Sequence, residues 1–293
     1  MDITMLQFLA PPFVASLILA GIHTYLGVHV VERGVIFVDL SLAQIAALGS
    51  TVALLIPFAG DPHGDSAYVI SVAFTLVGAL VFSTIRSKRA RIPQEAIIGI
   101  CYAVASAATI LAMSKATSEG EHLKNMLVGN ILAVSWTEVA KTAALYGVIG
   151  LFHFVFRHKF LAITLNPKKA AADGVSLWRW DFLFYASFGF VVTAAVQIAG
   201  VLLVFCYLIV PSVAAMLYSE RIGVRLAIGW IMGSIVSGLG VYLSLQLDLP
   251  TGATIVCTFA LVLIVMAIAR VFIPRGVVVD IHQVDFSDRA HGA

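Results

Sequence analysis

The composition of the chain places it in a membrane. Its 293 residues are 60% hydrophobic and 12% charged, with a mean hydropathy of +1.00, whereas soluble domains average about 45–50% apolar and about 25% charged residues. A net charge of +2 provides no broad basic surface for a nucleic acid. The composition therefore excludes a disordered chain, a nucleic-acid-binding protein and an ordinary soluble enzyme, and it predicts an all-α, polytopic membrane protein.

Apolar segments long enough to cross a bilayer follow one another along the chain. A membrane span needs about 20 predominantly apolar residues, and polar, turn-rich segments at 60–65, 86–91 and 246–250 separate the candidates. The apolar stretch 181–217 is interrupted by glycines, so it forms either two spans or one span and a broken helix. We expect about nine spans, at 6–31, 35–58, 67–85, 94–114, 136–156, 181–198, 200–217, 222–245 and 253–273.

The distribution of Lys and Arg predicts the orientation. Cytoplasmic loops carry an excess of these residues, and most of the 18 Lys and Arg residues follow the first, third, fifth, seventh or last span. The N-terminus is therefore expected outside and the C-terminus in the cytoplasm. Residues 1–5 carry no Lys or Arg, so we expect no signal peptide. We divide the chain into a transmembrane domain at 1–275 and a short cytoplasmic tail at 276–293.

The longest cytoplasmic loop before the tail, 157–180, is predicted to contain a short capped helix. Asn166 can cap this helix, Pro167 suits its first position, and Gly174 can end it. A helix of about two turns is not stable alone in water, so it docks either on anionic lipid or on a partner, as the coupling helix of an ABC permease does. The chain has no Walker A sequence, so a separate polypeptide would have to hydrolyse ATP.

Several strings resemble those of bacterial ABC metal-import permeases, the zinc, manganese and iron importers that work with a periplasmic or lipoprotein metal-binding protein. The most specific are the GNILAVSW string at 129–136 and the GVLLV string at 200–204 with its following proline. The resemblance covers about residues 14 to 273. The other strings that carry it are LGVHVV at 26–31, LAQIAALG at 42–49 and PTGATIV at 250–256.

The resemblance implies a fold, partners and a location. It implies a type II ABC importer permease in the bacterial inner membrane, acting as a homodimer with the transport path at the two-fold axis. It implies a separate ATPase subunit that hydrolyses ATP, an external metal-binding protein, and no permanently bound cofactor. The segment 171–174 falls where this family has its ATPase-facing loop, and the residues expected to couple to the ATPase are Asn166, Pro167, Lys168, Ala171, Asp173 and Gly174.

This chain lacks two histidines that the resemblance to zinc importers implies, and its nearest Asp is displaced by one residue. The resemblance implies an Asp and a His in the second span, but the His position holds Gln44, and Asp39 lies one residue from the Asp position. A further His in the fourth span corresponds to Ala103, while Glu95 matches the acidic residue before it. The remaining oxygen ligands favour manganese or iron at least as much as zinc.

Polar groups within the spans are functional candidates because they are costly in a membrane. At about 1.5 Å per residue, six side chains lie roughly 10–17 Å from the cytoplasmic side: His23, Gln44, Cys101, Tyr102, Cys206 and Tyr207. Pro211 frees the carbonyl group of Tyr207. The candidate metal ligands are His23, Asp39, Gln44, Glu95, Cys101 and Tyr207. All of these candidates except Tyr207 also have a structural explanation: a histidine bonded to a carbonyl, an Asp39–Arg33 pair, a glutamate in the first turn of a helix, a helix–helix hydrogen bond of Gln44, or a small buried cysteine.

Three other functions compete with the import of metal ions. The first is import of a metal chelate such as a siderophore or corrinoid, which needs no histidine ligands in the path. The second is a membrane hydrolase, but the chain has no HExxH sequence. The third is a secondary transporter that uses Asp39 and Glu95 as ion sites, which leaves the ATPase-facing segment unexplained.

Overall fold

All of the regular secondary structure that the structure describes is helical. The computed structural model describes residues 3–56, 65–87, 93–114 and 131–272. A short 3-10 turn, Ile131–Ala133, precedes the fifth helix. The α-helices in chain order are α1 (Ile3–Arg33), α2 (Val38–Leu54), α3 (Asp65–Ser87), α4 (Gln94–Met113), α5 (Trp136–Val155), α6 (Arg157–Leu165), α7 (Pro167–Ala172), α8 (Leu177–Met216), α9 (Ile222–Leu247) and α10 (Thr251–Phe272).

The helices follow the predicted apolar segments. Within the described residues, 7 helices are long and apolar enough to cross a membrane, and α2, with 17 residues, is shorter. Helix α2 begins only at Val38 because the chain turns at Gly34, whose φ is +65°, so it is shorter than the predicted span 35–58. Three features of the sequence lie outside the described ranges: the predicted tail 276–293, the residues 127–130 of the family strings and the basic residues 88–91.

Helix α8 contains the break that the sequence predicts in the segment 181–217. The helix has 40 residues, and inside it Gly200 has φ 74° and ψ 162°. An L residue rarely adopts this conformation, whereas glycine does so without a steric penalty. The backbone therefore changes direction at Gly200, between the predicted spans 181–198 and 200–217.

Helices α1, α2 and α8 form the interior of the bundle. Helix α2 packs against α3, α4 and α8, and α1 packs against α8, α9 and α5. By contrast, α4, α5 and α10 leave most of their surface uncovered. Apolar surface that is exposed in this way is expected to face lipid or a second subunit.

Glycine lets α1 approach its two neighbours closely. A Cβ atom added at Gly27 would lie 2.0 Å from the backbone oxygen of Leu208 in α8. A Cβ atom added at Gly229 in α9 would lie 2.3 Å from the side chain of Thr24 in α1. Small residues at such contacts allow helix backbones to pack closely in a membrane, so α1 is held between α8 and α9.

Candidate functional site

Asp39 is a buried carboxyl group in the first turn of α2. It is 1% exposed, and its Oδ1 atom has no hydrogen-bond partner within the described residues. Arg33, the partner in the structural explanation of Asp39, pairs with Asp181 instead. A buried carboxylate without a fixed cation is costly, so this position favours the approach of a positive ion.

Glu95 connects the beginnings of α2 and α4. Its Oε1 atom accepts a hydrogen bond of 3.0 Å from the backbone N–H of Phe37, the residue that precedes α2. A carboxylate in this position satisfies a free N–H group and complements the positive end of the helix dipole. The second oxygen, Oε2, is buried and has no hydrogen-bond partner in the described part of the chain. Glu95 thus uses one oxygen to cap α2, and its other oxygen lacks a partner among the described residues.

His23, like Glu95, has one hydrogen-bonded atom and one atom without a partner among the described residues, here its two ring nitrogens. Its Nδ1 atom lies 2.8 Å from the backbone oxygen of Leu19, and because a carbonyl group only accepts, Nδ1 carries the proton. In the neutral ring Nε2 then bears a lone pair, and this atom is buried with no hydrogen-bond partner among the described residues. The ring packs edge-on against Tyr146, with the ring centroids 6.0 Å apart. The predicted bond to a carbonyl is therefore present and leaves Nε2 available.

The other candidates have different surroundings. Gln44 is buried, Cys101 and Cys206 are partly buried, and Tyr102 is exposed. The hydroxyl group of Tyr207 shares a hydrogen bond of 2.8 Å with Ser237 in α9, so this side chain joins two helices. The free Tyr207 carbonyl group stays a prediction. These candidates therefore differ in burial and in hydrogen bonding, and their shared lining of a transport path stays a prediction.

The described residues offer separate ligands and not a preformed cage. No three His, Cys, Asp or Glu side chains among them lie close enough together to hold a metal ion. Of the two buried candidates, His23 packs against the Tyr146 ring of α5 and Asp39 lies in the first turn of α2. Imidazole nitrogen and carboxylate oxygen are both ligands for divalent transition metals.

The predicted capped helix is present as α7. The Asn166 side chain accepts a hydrogen bond of 3.1 Å from the backbone N–H of Lys169, and Pro167 occupies the first helical turn. Gly174 follows the helix with φ +78°. Of the six helical residues only Ala170 is buried. The side chains that remain accessible to a partner include those of Lys168, Ala171 and Asp173.

Helix α6, which the sequence did not predict, attaches this segment to the bundle. It buries Phe160, Ile163 and Thr164. The Phe160 ring stacks on His153 of α5, with ring centroids 4.2 Å apart, and packs edge-on against Trp180 of α8. We call residues 157–176 of the predicted loop 157–180 the coupling segment, after the role that the sequence predicts for it. Its α6 part is fixed to α5 and α8, while its α7 part is exposed.

A buried polar cluster joins the coupling segment to α1, α5 and α8. Arg33 pairs with Asp181 at 3.0 Å, and its Nε–H group donates to the Thr164 hydroxyl at 2.9 Å. His29 Nδ1 shares a hydrogen bond of 2.8 Å with the same hydroxyl group. The cluster comprises Tyr25, His29, Arg33, His153, Thr164, Asp181 and Ser187.

The α5 part of the cluster has a defined direction of hydrogen bonding. The Ser187 hydroxyl donates to the backbone oxygen of Phe184, so it accepts from Nε2–H of His153. His153 Nδ1 then accepts from the hydroxyl group of Tyr25, 3.2 Å away. Sequence reasoning missed this cluster. Its one local signal is the spacing of four residues between Tyr25, His29 and Arg33, which places all three on one face of α1.

Comparison with known proteins identifies the family. The model of the ABC 3 transport family matches residues 5–270. The chain belongs to the ABC 3 transport family. Its fold is also that of PsaBC from Streptococcus pneumoniae, solved in complex with Fab, with a TM-score of 0.74, 22% identity, and coverage of 88% of this chain and 90% of that chain.

Two relatives of this ABC 3 chain are described as transport proteins. The manganese transport system membrane protein MntC of Halalkalibacterium halodurans is 27% identical over 250 residues, which are 85% of this chain and 83% of the relative. The chelated iron transport system membrane protein YfeC of Yersinia pestis is 26% identical over 247 residues, which are 84% and 81% of the two chains. The resemblance found in the sequence strings is thereby confirmed for the family.

Proposed function

We propose that this chain is the membrane-spanning subunit of an ABC importer that moves divalent metal ions across the bacterial inner membrane. Membership of the ABC 3 transport family over residues 5–270 carries the proposal, and the relatives named for manganese and chelated iron support a metal cargo. The chain supplies the path, a separate ATPase hydrolyses ATP, and an external binding protein delivers the metal. Manganese or iron is carried at least as well as zinc.

The experiment that tests this function is uptake by the reconstituted complex. The chain, its ATPase and its binding protein are placed in proteoliposomes, and uptake of Mn²⁺, Fe²⁺ and Zn²⁺ is measured with and without ATP. We expect ATP-dependent uptake of manganese or iron. Uptake of zinc with rejection of both other ions would contradict the ligand argument, and uptake without the ATPase would indicate a secondary transporter.

The metal path is proposed to pass the groups that have free ligand atoms. Among His23, Asp39, Gln44, Glu95, Cys101 and Tyr207, the first two rank highest, because each is buried and has an unpartnered atom. Asp39→Asn removes the charge at almost constant volume, so we expect it to lower manganese uptake without releasing the ATPase. Thr51→Val is the matched control, because the hydroxyl of this buried α2 residue bonds only to the backbone of its own helix among the described contacts.

The ATPase is proposed to dock on α7 through Asn166, Pro167, Lys168, Ala171, Asp173 and Gly174. Gly174 has φ +78° and Gly34 has φ +65°, and a Cβ atom would meet nothing within 4 Å at either position. Gly174→Val and Gly34→Val therefore impose similar backbone strain at two places. We expect only Gly174→Val to abolish co-purification with the ATPase. Equal retention of the ATPase by both variants would refute docking at this segment.

We further propose nine spans, an external N-terminus, a cytoplasmic C-terminus and a homodimer. The length and the internal break of α8, together with the short α2, support this number of spans. In a chain whose 3 cysteines are replaced by alanine, Lys159→Cys should react with an impermeant thiol reagent from the cytoplasmic side and Asp248→Cys from the outside. Native mass spectrometry of the complex should give two copies of the chain.

A second candidate is import of a metal chelate. The relative named for chelated iron and the absence of histidine at positions 44 and 103 favour it. The same proteoliposomes separate the two candidates when a ferric siderophore or a corrinoid replaces the free ion. Uptake of the chelate without uptake of any free ion would replace the first proposal by this one.

A further inference from the structure

The attachment of the coupling segment to the bundle has an apolar part and a polar part. The apolar part is the stacking of Phe160 against His153 and Trp180. The buried polar part is concentrated on Thr164, because the other α6 side chain with a described hydrogen bond to another helix, Arg157, is exposed and donates to the backbone oxygen of Phe154 in α5. Thr164 is 6% exposed. Its hydroxyl group is therefore shielded from water, where a hydrogen bond contributes more to coupling than at the surface.

The two partners of this hydroxyl group lie on the same face of α1. The Nε–H group of Arg33 donates to it at 2.9 Å, and Nδ1 of His29 lies 2.8 Å from it. These residues are four positions apart, about one helical turn. Thr164 thus bridges two successive turns of α1. A shift of α6 along or away from α1 must therefore either break both hydrogen bonds or move His29 and Arg33 with α6.

Arg33 also connects this contact to α8. Its guanidinium group pairs with Asp181 at 3.0 Å, with both side chains 1% exposed, and lies over the Phe184 ring at 3.9 Å. Separating a buried ion pair is strongly unfavourable, because it leaves uncompensated charge. The end of α1 and the start of α8 therefore move together, and the Thr164 hydroxyl joins α6 to this unit.

We propose that Thr164, held by Arg33 and His29, is the positioning residue through which displacement of the coupling segment is transmitted to α1 and α8. The inference rests on the proposed function, since it takes the ATPase to act on the coupling segment. The Phe160 contacts hold α6 in place, and the directional bonds of Thr164 convert its displacement into movement of the transmembrane helices. The contribution of Thr164 is therefore to coupling and not to docking.

Thr164→Val tests this role because valine has the shape of threonine without the hydroxyl group. In the complete complex we expect normal co-purification of the ATPase and ATP hydrolysis within about twofold of the original. Manganese moved per ATP hydrolysed should fall about tenfold, the factor that corresponds to one hydrogen bond to a charged group. Thr164→Ser keeps the hydroxyl group and should restore the ratio.

Thr109→Val is the matched control for burial and shape. Thr109 is 2% exposed, and its hydroxyl group bonds to the backbone of its own helix, α4, at 2.9 Å. The ratio of manganese moved to ATP hydrolysed should therefore stay unchanged in Thr109→Val. An unchanged ratio in Thr164→Val overturns the inference, and so does an equal loss in Thr164→Ser, which would assign the effect to packing. Loss of the ATPase from Thr164→Val would assign the residue to docking and also overturn it.

A second variant keeps the inference testable if Thr164→Val does not accumulate in the membrane. Arg33→Lys retains the positive charge opposite Asp181 but has no Nε–H group for Thr164. The manganese-to-ATP ratio should again fall while the ATPase stays bound, and an unchanged ratio overturns the inference. Failure of the proposed function itself is recognised separately, because the unsubstituted complex would then show no ATP-dependent uptake of manganese or iron in proteoliposomes.

Discussion

The close contact between α1 and α8 predicts that Gly27→Ala destabilises the protein, and the size of the effect follows from the distances at this contact. In Gly27→Ala the new Cβ atom would lie 2.0 Å from the backbone oxygen of Leu208 and 2.4 Å from the Ser212 hydroxyl oxygen. The first of these atoms belongs to the helix backbone, so it cannot rotate away, and α1 must move outward by about 1.5 Å to restore van der Waals contact.

The expected loss of stability follows from two opposing contributions. Overpacking of a tight contact costs about 1–3 kcal/mol, and the backbone clash places Gly27→Ala at the upper end. Replacing glycine by alanine in a helix contributes at most about 1 kcal/mol in the other direction. The net destabilisation is about 2 kcal/mol, which corresponds to a fall in the unfolding midpoint of about 4–8 °C for a chain of this size.

The control for this prediction lies in the same helix. A Cβ atom at Gly21 would meet nothing within 4 Å, so Gly21→Ala should be neutral or slightly stabilising. The measurement is the temperature at which half of the purified protein in detergent stops eluting as a single species. Equal midpoints for Gly27→Ala and Gly21→Ala would refute the packing described for α1 and α8.

Three further predictions concern the path and the polar cluster. Gln44→His together with Ala103→His should shift uptake toward zinc relative to manganese in proteoliposomes, because imidazole ligands suit zinc; an unchanged preference would exclude these positions from the path. Arg33→Ala and Asp181→Ala should each destabilise the protein by about 3–5 kcal/mol, and the double variant by less than their sum in thermal unfolding. Glu95→Gln should keep the unfolding midpoint, because an amide oxygen still accepts from the backbone, while manganese uptake falls; a lower midpoint with normal uptake would assign this residue to structure alone.

The local parts of the fold were predictable from the sequence. A membrane-spanning helix satisfies its own backbone hydrogen bonds within one segment, so its apolar length is visible in the chain. The same holds for the Asn166 cap, which bonds three residues ahead, and for Gly200, whose conformation belongs to one residue. These features depend on neighbours in sequence, and the structure places them where the sequence predicts them.

The parts of the site that were missed depend on contacts between distant segments. Arg33 and Asp181 are separated by 148 positions, and Arg33 and Thr164 by 131, so no local pattern connects them. Helix α6 was missed for the same reason, since it is held by the stacking of Phe160 on His153 of α5. Nearness in sequence made an Asp39–Arg33 pair one structural explanation of Asp39, but the carboxylate that pairs with this arginine is the distant Asp181.

The sequence also could not separate structural from functional explanations of the candidate ligands, because the same side chain supplies both. His23 uses Nδ1 to bond Leu19, and Glu95 uses Oε1 to cap α2, while Nε2 and Oε2 have no partner in the described part of the chain. The bonded atom fixes the position of the side chain. Each buried, unpaired atom costs about 1–3 kcal/mol, a cost that a bound cation removes while it is present. A few such atoms along a path attract the ion without retaining it, whereas a closed set of four ligands would trap it.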